Sequence, residues 1–184
     1  ADLPLGFHYE PGSRGRRPIA PGHPLFPAYF GGGGIIATPD DMFKWLLFNM
    51  GITRDAELTP LLPVLHRPST KVTASHPANS DEWYELGLGW FINRERPGFS
   101  ASVSKDGEMD GFASYIGFLP SPDPGNLPSP AGAFVLVNAD GIRKEGRDIA
   151  LVMTNDLLLH VQGGTPPTDK SVYPHSPRSL VNSF

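Results

Sequence analysis

Ser104-Lys-Asp-Gly-Glu-Met-Asp-Gly-Phe-Ala-Ser-Tyr115 is the stretch on which the reading of this chain turns. Taken alone, Lys105-Asp106-Gly107 reads as the tight end of a hairpin, because Asp-Gly is a favoured pair at such turns. Its surroundings carry strand signals on both sides, at about 100 to 106 and 112 to 119, and a further run follows at 132 to 138. Upstream, Tyr84-Glu-Leu-Gly-Leu-Gly-Trp-Phe-Ile92 opens the series. Between the last two runs, Pro120-Ser-Pro-Asp-Pro-Gly-Asn-Leu-Pro-Ser-Pro130 is too rich in proline for a hydrogen-bonded ladder and reads as a loop between neighbours. The pattern predicts an antiparallel meander.

Helices are expected on either side of it. Thr38-Pro39-Asp40-Asp41 combines a hydroxyl N-cap, proline at the first helical position and acids at the positive end of the dipole. Met42, Trp45, Leu46 and Met50 then recur at helical spacing and Gly51 can stop the helix, which predicts 39 to 50. Thr59-Pro60 opens a shorter piece through Leu61, Leu62, Val64 and Leu65, curtailed by Pro63 and Pro68. A closing helix is predicted from about 142 to 161, with Ile149, Val152, Met153, Leu157 and Val161 on one face and Gly163 as its stop. Residues 1 to 34 read as a strand fragment at Gly6-Phe7-His8-Tyr9 and a long Gly- and Pro-rich loop. Residues 68 to 82 read as another loop. The organisation expected is one domain over 1–163 and an irregular tail over 164–184, rich in Pro, Ser and Thr.

Bulk composition excludes several classes of function. With 184 residues, 39% hydrophobic and 18% charged, the chain suits a globular protein, and 21 glycines with 21 prolines argue against a helical bundle. A formal charge of -4 gives no general attraction to phosphate backbones, and Arg14, Arg16 and Arg17 form only a small basic cluster, so nucleic acid is not expected as a partner. There is no cysteine, hence no disulfide and no thiolate chemistry. His8, His23, His66, His76, His160 and His175 are scattered, without a His-x-x-x-His pair, and neither metal nor cofactor is expected. No apolar run approaches the ~20 residues of a membrane span. The first residues lack the basic start and apolar core of a signal peptide, which leaves open that an upstream piece carried one.

Three stretches in order resemble the second half of class C β-lactamases and the related D,D-peptidases and esterases. Gly31-Gly-Gly-Gly-Ile-Ile-Ala-Thr-Pro-Asp-Asp-Met-Phe-Lys-Trp-Leu-Leu-Phe-Asn-Met-Gly51 is similar to the family's glycine-rich segment running into a helix. Tyr84 to Phe91 resembles its Gly-x-Gly-Trp strand. Ser104 to Tyr115 resembles its Lys-Thr-Gly strand and the Gly-Phe-x-Ser that follows, and Val135-Leu-Val-Asn138 with the closing helix occupy the expected places. The resemblance spans roughly residues 3 to 162. It implies an α+β fold, an antiparallel sheet flanked by helices, of which this chain is the C-terminal portion.

The resemblance also implies a chemistry. Such hydrolases attack an acyl carbon with a serine activated by lysine and tyrosine, through an acyl-enzyme, and hold the oxyanion with two backbone N–H groups. The nucleophile belongs to a Ser-x-x-Lys on a helix, followed by a Tyr-x-Asn. Ser102-Val-Ser-Lys105 fits the first pattern formally, but on a strand residues three apart face opposite ways, and no Tyr-x-Asn or Ser-x-Asn occurs. Both are expected on an N-terminal half outside this chain, and localisation is expected to be periplasmic or secreted if the chain follows these relatives.

Residue by residue, Lys105 would keep the site electropositive, and the backbone N–H of Glu108 would supply half the oxyanion hole. Gly107 and Gly111 would let a substrate backbone approach the strand edge. Asp106 stands where the family has Thr or Ser, and its charge disfavours an anionic substrate, although alternation from Lys105 turns it away from the site. Peptidase or esterase action on a D-amino-acid amide, peptide or ester is therefore favoured over penicillin turnover. Arg143 or Arg147 is a candidate for a substrate carboxylate. The alternative is a non-catalytic remnant or binding module that uses the strand edge near Lys105 to hold a peptide or another subunit.

Overall fold

A computed structural model of the chain describes residues 6–9, 16–18, 35–71, 84–95, 98–109, 111–120, 131–144, 147–170 and 173. The architecture is the expected α+β one, a sheet between helices. The main sheet contains β3 (Thr70–Lys71), β4 (Tyr84–Leu86), β5 (Phe91–Asn93), β6 (Ser102–Met109), β7 (Phe112–Phe118) and β8 (Gly132–Val137), adjacent in chain order and antiparallel throughout. The meander read from the sequence is thus present, with the proline-rich stretch between β7 and β8 outside the described residues. A small sheet pairs β1 (Phe7–Tyr9) antiparallel with β2 (Arg16–Pro18) and parallel with β9 (Ala139–Asp140). The four-glycine segment, 31–34, lies outside the described residues.

Helix α1 (Pro39–Asn49) begins as its sequence dictates. Thr38 accepts from the Asp41 N–H at 3.2 Å and the Asp41 carboxylate accepts from the Thr38 N–H at 3.1 Å, a closed capping box. Leu46 and Met50 are buried on one face of the sheet with Trp90, Val103, Ile116 and Phe118, and Met42 packs beside them. Trp45, expected in the same stripe, is 45% exposed and stacks on Phe48. It lies one residue short of the Met42, Leu46, Met50 row, about 100° round the helix. A single 3₁₀ turn (Thr59–Leu61) leads into α2 (Leu62–Leu65), where Leu62 is buried and Leu61 and Val64 are exposed.

Two corrections concern the closing helix. It does not start near 142: Arg143–Lys144 and Arg147–Asp148 pair as a short ribbon, β10 and β11, and α3 runs from Ile149 to Val161. Asp148 fixes the start by accepting from the N–H groups of Ala150 and Leu151 at 2.8 and 3.4 Å. The packed face also differs. Leu151, Thr154 and Leu158 are buried, with Ala150 and Val152, against the second face of the sheet, whereas Met153, Leu157 and Val161 form an outward stripe at 46%, 45% and 60% exposure. Beyond α3, Lys170 holds both oxygens of Asp156 at 2.8 and 2.9 Å, and the fully buried Tyr173 packs edge-on against Phe99.

Candidate active-site edge

β6 is longer than its neighbour on one side. β5 covers only residues 102 to 104 of it, Phe91 lying opposite Ser104, while β7 pairs with 103 to 109. Lys105, Asp106, Gly107, Glu108 and Met109 therefore have a strand on one side only, among the described residues. Asp106 and Gly107 are mid-strand, opposite Tyr115 and Ser114, as the resemblance implies and unlike the hairpin that the pair suggests when taken alone. Met109 pairs with Phe112, so the reversal follows Met109, with Gly111 at φ +83°. A side chain at Gly111 would also meet the backbone of Gly6 and Phe7 at under 3 Å.

The register sorts side chains between the two faces. Val103, Lys105 and Gly107 stand opposite Phe118, Ile116 and Ser114 on the α1 face; Ser104, Asp106 and Glu108 stand opposite Gly117, Tyr115 and Ala113 on the α3 face. Alternation thus turns the Asp106 side chain from that of Lys105, yet their charged ends meet. The Lys105 ammonium donates to Asp106 Oδ1 at 2.6 Å and to the Asp106 carbonyl at 2.8 Å, and lies 5.0 Å from the centre of the Phe91 ring. Because β5 stops at Phe91, the lysine stem can pass its end. Gly107 is closely packed: a Cβ there would sit 2.5 Å from Ser114 Oγ, so that the hydroxyl, which donates to the Gly107 carbonyl at 3.4 Å, would have to turn away.

On the α3 face the Glu108 carboxylate accepts from the Gly141 N–H at 3.1 Å and from one Arg143 nitrogen at 2.9 and 3.1 Å to its two oxygens. The other terminal nitrogen of Arg143 donates to Asp148 Oδ2 at 2.6 Å. Burial pushes the Asp148 carboxyl above its usual range, opposed by its bonds to α3 and by Arg143. Arg147 is buried and donates through Nε to the Tyr173 carbonyl at 2.6 Å. The two arginines named as candidate carboxylate binders thus sit on the sheet's second face, engaged with protein groups.

Asp140 escapes notice in the sequence because its partners are remote. Its Oδ2 accepts from the Gly111 N–H at 3.0 Å and its Oδ1 meets His8 Nδ1, from a strand at the other end of the chain. Ser102 does not approach Lys105: it lies on the α3 face, where Asn93 Nδ2 donates to both Ser102 and Ser104 hydroxyls. Tyr115 donates to Ser104 Oγ at 2.8 Å, a buried polar node behind the edge. Among the described residues no three His, Asp or Glu side chains gather as a metal site, and no helix is long and apolar enough to cross a membrane.

The family model described as Beta-lactamase matches residues 4–155. This chain belongs to the beta-lactamase family. Within that family it is similar to the D-alanyl-D-alanine-carboxypeptidase/endopeptidase AmpH of Escherichia coli K12, at 26% identity over 145 residues, covering 76% of this chain and 34% of the relative. The protein of the same name from Escherichia coli O157:H7 gives the same figures. The chain spans about a third of the length of these curated relatives.

Proposed function

We propose that this chain supplies the lysine-bearing strand edge of a serine hydrolase that cleaves amide or ester bonds through an acyl-enzyme, D-amino-acid peptides and esters foremost. The observation that carries this reading is the edge of β6 from Lys105 to Met109, which among the described residues has a strand on one side only, so that an extended acyl substrate can lie along the other. Lys105 contributes positive potential at that edge, and the Glu108 N–H contributes half of the oxyanion hole. The serine, its lysine partner and the tyrosine come from a segment or chain carrying Ser-x-x-Lys and Tyr-x-Asn. Two features support an additional part: the open edge itself and the outward apolar stripe of Met153, Leu157 and Val161. AmpH, whose name specifies a D-alanyl-D-alanine carboxypeptidase and endopeptidase, supports the peptide substrate class. Asp106 at the site's lysine favours it over penicillin turnover. A periplasmic or secreted location goes with this family.

The test is hydrolysis of D-alanyl-D-alanine peptides, D-amino-acid esters and penicillin by the full-length protein, alongside its Lys105→Ala variant. Turnover of peptide or ester that falls by about 100-fold in the variant supports the reading. Peptide binding without turnover would instead identify a non-catalytic module that holds peptides on the β6 edge.

A further inference from the structure

The Glu108 side chain is held far more firmly than an edge residue requires. Its carboxylate takes the Gly141 N–H and both bonds from Arg143, and Arg143 is anchored in turn on Asp148, the residue that starts α3. Nearby, Asp140 fixes the Gly111 N–H at the turn that ends β6, and the Gly111 carbonyl accepts from the Phe7 N–H at 3.1 Å. The end of β6 is thus braced from behind by Asp140, Gly141, Arg143 and Asp148. We infer that Arg143 is a positioning residue for the reaction: by clamping Glu108 it sets the direction of the Glu108 backbone N–H at the open edge.

Physical reasons favour positioning over simple stabilisation. An ion pair in which Arg143 keeps 36% of its side chain exposed contributes little to folding. An oxyanion donor must nevertheless meet the developing charge within a few tenths of an ångström, which calls for a firmly held strand. The planar guanidinium spans two carboxylates, Glu108 and Asp148, at fixed angles, which a lysine ammonium cannot reproduce. It also leaves Arg143 committed to Glu108 and Asp148, so contact with a substrate carboxylate is not its role.

This inference rests on the functional reading above, and the experiment separates the two. In the full-length protein, Arg143→Lys and Arg143→Met are compared with wild type by single-turnover acylation with a chromogenic ester and by amide hydrogen exchange over 105–109. Expected is a fall of about 100-fold in the acylation rate for Arg143→Met, partial recovery for Arg143→Lys, unchanged ester affinity and faster exchange confined to the end of β6. A rise in KM with an unchanged rate constant would make Arg143 a substrate ligand and overturn the inference. So would unchanged acylation and exchange. A wild-type protein that never acylates would sink the functional reading, and the exchange measurement would still decide whether Arg143 braces β6.

Discussion

The Lys105 ammonium lies 2.6 Å from Asp106 Oδ1, although these consecutive strand residues send their Cβ atoms to opposite faces of the sheet. The pair places a carboxylate beside the charge that the site would offer an anionic substrate. Asp106→Thr is expected to raise kcat/KM for substrates with a free carboxylate by about tenfold relative to neutral esters, the usual scale of one charge in a recognition site. Parallel assays of a D-alanyl-D-alanine peptide and its neutral ester read the ratio, which stays unchanged if Asp106 plays no part in selection.

A methyl group at Gly107 would meet Ser114 Oγ at 2.5 Å, so the hydroxyl must turn or the strand must shift. Gly107→Ala is expected to displace the strand edge, reducing acylation by at least about tenfold while costing about 1–2 kcal/mol of stability. Adding Ser114→Ala removes the clashing hydroxyl and restores part of the rate. Equal loss in the single and double variants would show that the crowding is not the cause.

His66 is a partly buried titratable group outside the site. Its Nε2 donates to Asn49 Oδ1 at 3.1 Å, since the Asn49 amide donates to the Trp45 carbonyl, and its ring meets the edges of Trp90 and Phe118. Burial lowers its pKa from 6.5 to about 4. In that window the unfolded chain binds the proton and the folded one does not, so stability falls as pH drops from the first value toward the second. The expected loss is about 2 kcal/mol once partial solvent contact is allowed for, and His66→Gln flattens it. Urea unfolding at the two ends of the window measures the slope. An identical slope in the variant would assign it elsewhere.

The apolar stripe on α3 predicts opposite responses in two settings. In a protein carrying the proposed upstream part, Leu157→Glu is expected to cost about 2 kcal/mol, as for a charge placed in a buried contact. In residues 1–184 alone the same change is expected to alter stability by less than about 0.5 kcal/mol and to reduce self-association. Thermal unfolding and light scattering on both proteins supply the comparison, and equal effects in the two would remove the stripe as support for a covering segment.

Tyr173 ties the segment after α3 to the second face of the sheet. Its ring is fully buried on Phe99, its hydroxyl meets Asp156 and its carbonyl accepts from Arg147. Tyr173→Ala is expected to cost about 3–5 kcal/mol and Tyr173→Phe about 1–2 kcal/mol. Chemical unfolding of both variants measures the difference, and a loss below about 1 kcal/mol for the alanine variant would mean that this segment does not hold the face.

Local chemistry made much of this fold legible. Thr38 and Asp41 mark a helix start that depends only on neighbours in sequence, and the strands follow from residue type and the prolines between them. Where two local solutions were equivalent, sequence could not choose. Both Asp106-Gly107 and Asp110-Gly111 suit a turn by residue type, and the pairing of β6 with β7 puts Asp106-Gly107 inside the strand. Helix α3 is apolar on two sides, so periodicity could not show that Leu151, Thr154 and Leu158 face the sheet and Met153, Leu157 and Val161 do not. The candidate edge around Lys105 was visible through its resemblance. Its bracing was not, because Glu108 and Arg143 are 35 residues apart, and His8 and Asp140 132 apart, with no pattern linking them.

The central claim is that residues 1–184 provide the lysine edge and an upstream segment the nucleophile. Intact-mass and peptide mapping of the full-length protein after reaction with a fluorophosphonate or a fluorescent penicillin tests it directly. The account predicts one covalent adduct, on a serine of a Ser-x-x-Lys sequence preceding Ala1, formed much more slowly when Lys105 is replaced by alanine. An adduct on Ser102, or a full-length protein that takes neither label, would contradict it.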